Sequence, residues 1–403
     1  MKNYFVFIIA ILFPMMLFAQ TNSQWRGENR DGVYNETGLM KVWPEGGLEL
    51  LWSYEGLGEG WTSAAIANGK LYITGLDDDN LNLFVFDLNG RLLTKKTVGK
   101  EWNGDYPGTR CTVNVNDGKL YIYNSLGTLI CLDEATLNEV WKKDVITELG
   151  GRNIRWGMTE SPLILGDKIF ITPGGETHNL VALNKNTGAL IWSSVGMGQV
   201  SSYCSPQYIS GYSIPILVTC TRQEIIAFNA DTGEMLWSHP QPSANTINPN
   251  TPMYFDGMIF STTGYNGGSW LYRLTNDGRA AELLWHNAEM DNEKGGAIRV
   301  GDYIYGSGHR NNNWFVLDLK TGETKFKTLE IGRATVIAAD GMLYVYSERG
   351  NMYLVKPNPD ELEIVSSFEI TLGTSQQWTH PVIHQGVMYL RRGDALMAYR
   401  VKN

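Results

Sequence analysis

The chain has 403 residues, is 43% hydrophobic and 19% charged, and carries a formal net charge of −9. That apolar content excludes a disordered chain, which lacks the residues to fill a core. The acidic balance excludes a general nucleic-acid binder, because phosphate binding needs a basic face.

Residues 1–19 read as a signal peptide. Lys2 precedes an apolar run from Tyr4 to Phe18, and Ala19 offers a small residue for cleavage. The run is short beside the roughly 20 apolar residues of a membrane-spanning helix, and no other segment is apolar enough. No Cys follows it, so the expectation is an exported, soluble protein, periplasmic or extracellular and not lipid-anchored. Residues 20–47 lack periodicity; Trp25-Arg26-Gly27 and Asn29-Arg30-Asp31-Gly32 mark an extended, turn-rich arm. Leu48–Tyr54 is then an apolar strand with no hairpin partner before it.

From Trp61 a repeat begins. Tight-turn dipeptides such as Asn68-Gly69, Asp117-Gly118, Asp256-Gly257, Asp340-Gly341 and Gln385-Gly386 each precede an aromatic-rich strand, for example Leu71-Tyr72-Ile73-Thr74 or Leu343-Tyr344-Val345-Tyr346. A second hairpin follows, with turns such as Asn186-Thr187-Gly188, Asp231-Thr232-Gly233 and Thr321-Gly322, and often a Trp soon after. Units recur every ~40–50 residues, the length of a four-stranded propeller blade. Seven units are complete, and the last, from Trp378 to Val401, stops after three strands. Leu48–Tyr54 supplies its fourth strand. The fold expected over residues 48–403 is therefore all-β: an eight-bladed β-propeller of four-stranded antiparallel blades, closed by an N-terminal strand completing the C-terminal blade.

Four cysteines are present. Cys204 and Cys220 face each other across a hairpin and could form a disulfide in an oxidising compartment. Cys111 and Cys131 fall on non-adjacent strands and read as free, buried thiols.

The segment Asn229-Ala230-Asp231-Thr232-Gly233-Glu234-Met235-Leu236-Trp237 resembles the tryptophan-docking repeat of the pyrroloquinoline quinone (PQQ) propeller superfamily, and Asn184 to Trp192 is similar to it. The resemblance covers most of the chain. It implies that Trp52, Trp141, Trp192, Trp237 and Trp285 dock between blades rather than bind ligand. The superfamily includes quinoprotein dehydrogenases and the non-catalytic propeller subunit of the outer-membrane β-barrel assembly machinery; the arm resembles that of exported PQQ-repeat propellers.

Function must come from loops. In a propeller, the loops entering each blade and those joining its second and third strands share one face. They collect Trp61, Arg110, Arg155, Trp156, Glu160, Tyr203, Arg222, Asn250, His309, Arg310, Arg333, Glu348, Arg349, Trp378, His380 and Arg392. The seven Arg among them suggest an aromatic-lined mouth for an anionic ligand; the alternative is that they pair with Glu160, Glu176, Glu348 and Asp77 to tie blades together. The quinoprotein enzymes resembled use adjacent cysteines, a calcium held by Glu and Asn or Asp, and a catalytic Asp. No two cysteines are adjacent here, the histidines lack zinc-ligand spacing, and no metal site is expected. PQQ could still be held by Arg. The reading is an exported, non-catalytic propeller, monomeric, binding an envelope protein, an anionic small molecule or an acidic sugar. A quinone-dependent oxidoreductase acting on alcohols or sugars, and a carbohydrate-binding or carbohydrate-active protein, are the alternatives.

Overall fold

A computed structural model describes residues 22–245 and 247–403. The proposed signal peptide lies outside them. Eight antiparallel sheets follow one another along the chain, over residues 65–100, 114–144, 163–195, 207–240, 253–287, 298–328, 334–369 and 382–400, here blades 1 to 8. Blade 8 takes its fourth strand from Leu50–Glu55, which pairs antiparallel with Ala395–Arg400. The ring is thus closed with one strand from the start of the propeller and three from its end, as the sequence implies.

Local chemistry sets the blades. At Asn68-Gly69, Asp117-Gly118, Asp256-Gly257, Asp340-Gly341 and Gln385-Gly386 both residues have positive φ, between 47° and 77°. This is the mirror-image turn whose twist matches the flanking strands. First strands are three to six residues long and mostly buried. Middle strands are buried on both faces, as in Leu71–Leu76 and Leu81–Phe86 of blade 1, so they read as largely apolar runs. Fourth strands alternate, as in Thr324–Thr328, because one face meets solvent.

Blades are joined by paired residues. The indole Nε1–H of Trp52, Trp141, Trp192, Trp237 and Trp285 donates to a carbonyl in the next blade's outer turn: Leu88, Lys185, Ala230, Gly278 and Leu319 respectively, at 2.9–3.2 Å. Four of the rings lie against the turn glycine. A Cβ on Gly90, Gly188, Gly233 or Gly322 would stand 2.4–2.8 Å from the docked Trp, and each glycine has φ between 69° and 84°. The glycine is required twice, by backbone conformation and by the ring above it. The Asx side chain opening each turn fixes its shape: Asp318 Oδ1 accepts from the amides of Lys320 and Thr321, both at 2.9 Å.

The arm fills the central channel. Asn22 bridges Ile66 of blade 1, and Ser23 O accepts from Val115 N of blade 2. Val33–Tyr34 pairs parallel with Ala338 and Ala339, adding a fifth strand to blade 7. Between them, Arg30 donates to the carbonyls of Ser161, Pro162 and Pro206, at 2.6–3.1 Å, at the start of blades 3 and 4. Arg26 donates to Ala297 O at 3.0 Å beside blade 6. Burial lowers both guanidinium pKa values to about 10, so both remain charged at neutral pH. Beyond the channel, Lys41 pairs with Asp340 at 2.9 Å and Trp43 packs on Tyr344 and Phe368 before the chain enters blade 8.

All four cysteines are buried and free. The Cys204–Cys220 disulfide is not formed, although the two meet: Cys220 N–H donates to Cys204 Sγ at 3.2 Å.

Candidate functional site at the channel mouth

The loops entering the blades and those joining second to third strands surround a cavity of about 630 Å³. The arm closes it from below, with Trp25 in its lining. The channel is therefore a blind pocket.

Its walls differ in chemistry. Trp378, Trp61, Tyr106, Trp156 and Tyr203, from the loops entering blades 8, 1, 2, 3 and 4, form an aromatic side. The Trp61 and Trp378 rings lie 5.1 Å apart, Tyr106 is 5.5 Å from Trp378, and the Arg110 guanidinium stacks 5.0 Å over Trp61. Trp156 and Tyr203 pack at 6.2 Å.

Next to Trp378, loops of blades 5 to 7 contribute an ionic chain. Glu348 pairs with Arg333 at 2.7 Å and Lys294 at 3.4 Å, and accepts from the Trp378 indole at 2.6 Å. Lys294 also pairs with Glu293 at 3.2 Å and sits 3.9 Å over the Trp378 ring. Glu293 accepts from the Tyr265 hydroxyl at 2.8 Å and from His309 Nδ1. Burial opposes ionisation of Glu293, but His309, Lys294 and Tyr265 outweigh it and hold its carboxyl at about 2. His380 lies deeper, edge-on to Trp25 at 5.5 Å, with Nε2 3.2 Å from Arg26 Nη1 and 3.0 Å from Gly295 O. Burial and the Arg26 charge keep it neutral, so it is a packed element of the arm's seat rather than a base for chemistry.

Of the residues proposed from sequence, Trp61, Arg110, Trp156, Tyr203, His309, Arg333, Glu348, Trp378 and His380 line this cavity. Arg155 and Arg222 line a neighbouring one, with Arg155 stacked 4.9 Å from Trp156. Glu160 is fully buried, its carboxyl accepting from Thr172 N, and Asn250 is buried, donating to Thr262 and Asn292 carbonyls. Arg310, Arg349 and Arg392 stand outside the lining; Arg349 and Arg392 donate to the carbonyls of Glu330 and Ile370. Only two of the seven Arg therefore enter the mouth, and one of these is paired to Glu348. Trp25, Tyr106, Tyr265, Glu293 and Lys294 were not anticipated. All but Trp25 sit in the two loop classes that define the face; the selection made within those loops took Glu160, Glu348 and Tyr203 and passed over these.

The residues do not fit a quinone enzyme. The cysteines are dispersed in pairs in blades 2 and 4, Lys294 and Arg333 are engaged by Glu293 and Glu348, and Arg110 is turned to the backbone carbonyls of Gly108 and Tyr106. Among the described residues no three His, Cys, Asp or Glu stand close enough to hold a metal.

Fold, repeat and Trp docking together define a PQQ-repeat β-propeller. The family described as outer membrane protein assembly factor BamB matches residues 49–328, and the chain belongs to that family. It is 26% identical over 313 residues to outer membrane protein assembly factor BamB of Shewanella oneidensis, spanning 72% of this chain and 73% of that protein. It is also 26% identical to quinoprotein alcohol dehydrogenase PedH of Pseudomonas putida, over 180 residues that span 42% of this chain and 29% of the dehydrogenase. The crystal structure of BamB from Moraxella catarrhalis superposes with a TM-score of 0.65 at 14% identity, covering 88% of this chain and 99% of that one; at that identity the likeness concerns fold.

Proposed function

We propose that this protein is a non-enzymatic scaffold of the cell envelope, acting in outer-membrane protein assembly and recognising its partner at the channel mouth. The observation that carries the reading is the state of the mouth's ionisable groups. Glu293, Lys294, Glu348, Arg333 and His309 are tied to one another in one chain. Catalysis needs a group left poised to exchange a proton or attack; a mutually neutralised chain beside half-exposed aromatic rings suits binding. The family match over residues 49–328 supports the same role, as does the likeness to an assembly factor along most of both chains. Export to the periplasm accords with the apolar run at residues 4–18, and no helix among the described residues is long and apolar enough to cross a membrane.

A photo-reactive amino acid at position 106, whose native Tyr is 48% exposed beside the mouth, tests this in intact cells. Capture of an envelope protein is expected from position 106, and not from position 195 on an outer strand. Equal capture from both would place recognition elsewhere.

A further inference from the structure

We propose that the mouth binds a short saccharide, its sugar rings stacked on the aromatic side and their hydroxyls held by the ionic side. The inference rests on the reading of the mouth as a recognition site and goes beyond it, adding a small ligand to the protein partner proposed there.

Three features point to this class. The first is the division of the walls. A pyranose has C–H faces that pack on aromatic rings and an edge of hydroxyls that both donate and accept. A cluster of Trp and Tyr rings bordering a chain of alternating carboxylates and cations, the two meeting at Trp378, whose indole donates to Glu348 and whose ring lies under Lys294, matches that amphipathy. A flat aromatic ligand would not use the ionic chain, and an anion would find Lys294 and Arg333 already paired to Glu293 and Glu348. The second is charge balance. Glu293 and Glu348 offset Lys294 and Arg333, which leaves Arg110, among the described residues, as the cation of the lining without a carboxylate paired to it and the ionic chain as a set of fixed donors and acceptors, suited to a polyhydroxylated molecule. Glu293 stays ionised across physiological pH and Tyr265 and His309 fix its orientation, so its acceptor geometry is preorganised. The third is the closed floor. The arm places Trp25 beneath the cavity, and a volume of about 630 Å³ has room for more than one sugar ring while lying within the usual ~300–1,000 Å³ of ligand sites. With the arm across its base, the cavity takes the end of a chain, not its middle.

The test is calorimetric titration of the protein lacking only the proposed signal peptide, residues 20–403, with maltotriose, cellotriose, xylotriose and the trimer of N-acetylglucosamine, with PQQ and with a peptide carrying an exposed C-terminus. Binding of at least one trisaccharide is expected, weakened about tenfold or more by Trp378→Ala and by Trp61→Ala. Tyr106→Ala, at a half-exposed position, provides the same test if a Trp variant misfolds, and the melting temperature of each variant is read alongside. Binding of a trisaccharide that ignores all three substitutions would overturn the proposal, as would binding of PQQ or of the peptide alone. In the last case the mouth remains a recognition site and only the saccharide is lost. If no probe binds, the saccharide proposal fails, and if position 106 also captures no partner, both readings fail.

Discussion

At the scale of single residues, the interblade joints are made of Trp–Gly pairs, and their exceptions are informative. Blade 1 has no Trp in its fourth strand, Leu92–Lys100, and the turn it would meet in blade 2 carries Leu137 at φ 58° where other turns carry glycine. Blade 6 carries Phe326, and the following turn holds Pro357 and Pro359 instead of glycine. Where no indole presses on the turn, a side chain is tolerated. Trp237→Ala should therefore cost about 3–5 kcal/mol, and Gly322→Ala should also destabilise, since its Cβ would stand 2.4 Å from the Trp285 ring at a φ of +75°. Urea denaturation measures both; a loss below about 0.5 kcal/mol at either site would contradict the docking account. Glu160 gives a pH signature. Burial, only partly offset by the Thr172 amide and the Arg30 charge, raises its carboxyl from the ordinary 4.5 to about 8. The folded state then holds a proton that the unfolded chain releases, so this group's contribution falls as pH rises from about 4.5 to 8. Glu160→Gln should flatten the fall in melting temperature over that interval. Glu293 works in the opposite sense: its carboxyl is depressed to about 2, so its contribution is present above pH 4.5 and is lost as pH falls toward 2.

At the scale of elements, two devices close the ring, and they were legible to different degrees. The strand Leu50–Glu55 could be read from sequence because an unpartnered Leu-Leu-Trp strand and a three-stranded last unit are complementary. The course of the arm could not. Its contacts run from Arg26 and Arg30 to backbone carbonyls of distant blades, and carbonyls carry no sequence signal. The same holds for Arg391, which sits beside the surface Arg392 in sequence. Arg391 is fully buried and donates across the closing joint to Thr62 Oγ1 and Thr74 O, both at 2.6 Å, and to Gly58 O at 3.0 Å. Burial lowers its pKa to about 9, so it remains a cation held by blade 1. Arg391→Ala removes the donor from several buried acceptors and should cost about 3–5 kcal/mol, whereas Arg392→Ala, on partly exposed carbonyls, should cost under about 1 kcal/mol. Thermal unfolding of the two variants checks the contrast, and equal losses would contradict it.

At the scale of the whole molecule, the propeller was legible because its signal is repeated: five mirror-image turns, five docking Trp and a fixed unit length reinforce one another. The mouth was legible only as a face. Knowing which loops share that face did not reveal which side chains turn inward, because that depends on packing between loops from non-adjacent units. An Arg-rich list thus reduces to Arg110 and Arg333 in the cavity, and the balancing Glu293–Lys294 pair emerges only in three dimensions. The consequence is a mouth of mixed charge that suits recognition more than chemistry.

The central claim, an assembly scaffold acting through this mouth, is tested most directly by the abundance of outer-membrane β-barrel proteins in host cells lacking the gene. The account predicts that these proteins decline, that the wild-type chain restores them, and that a folded double variant, Arg333→Ala with Trp378→Ala, does not. Unchanged β-barrel levels without the protein, or full restoration by the double variant, would contradict it.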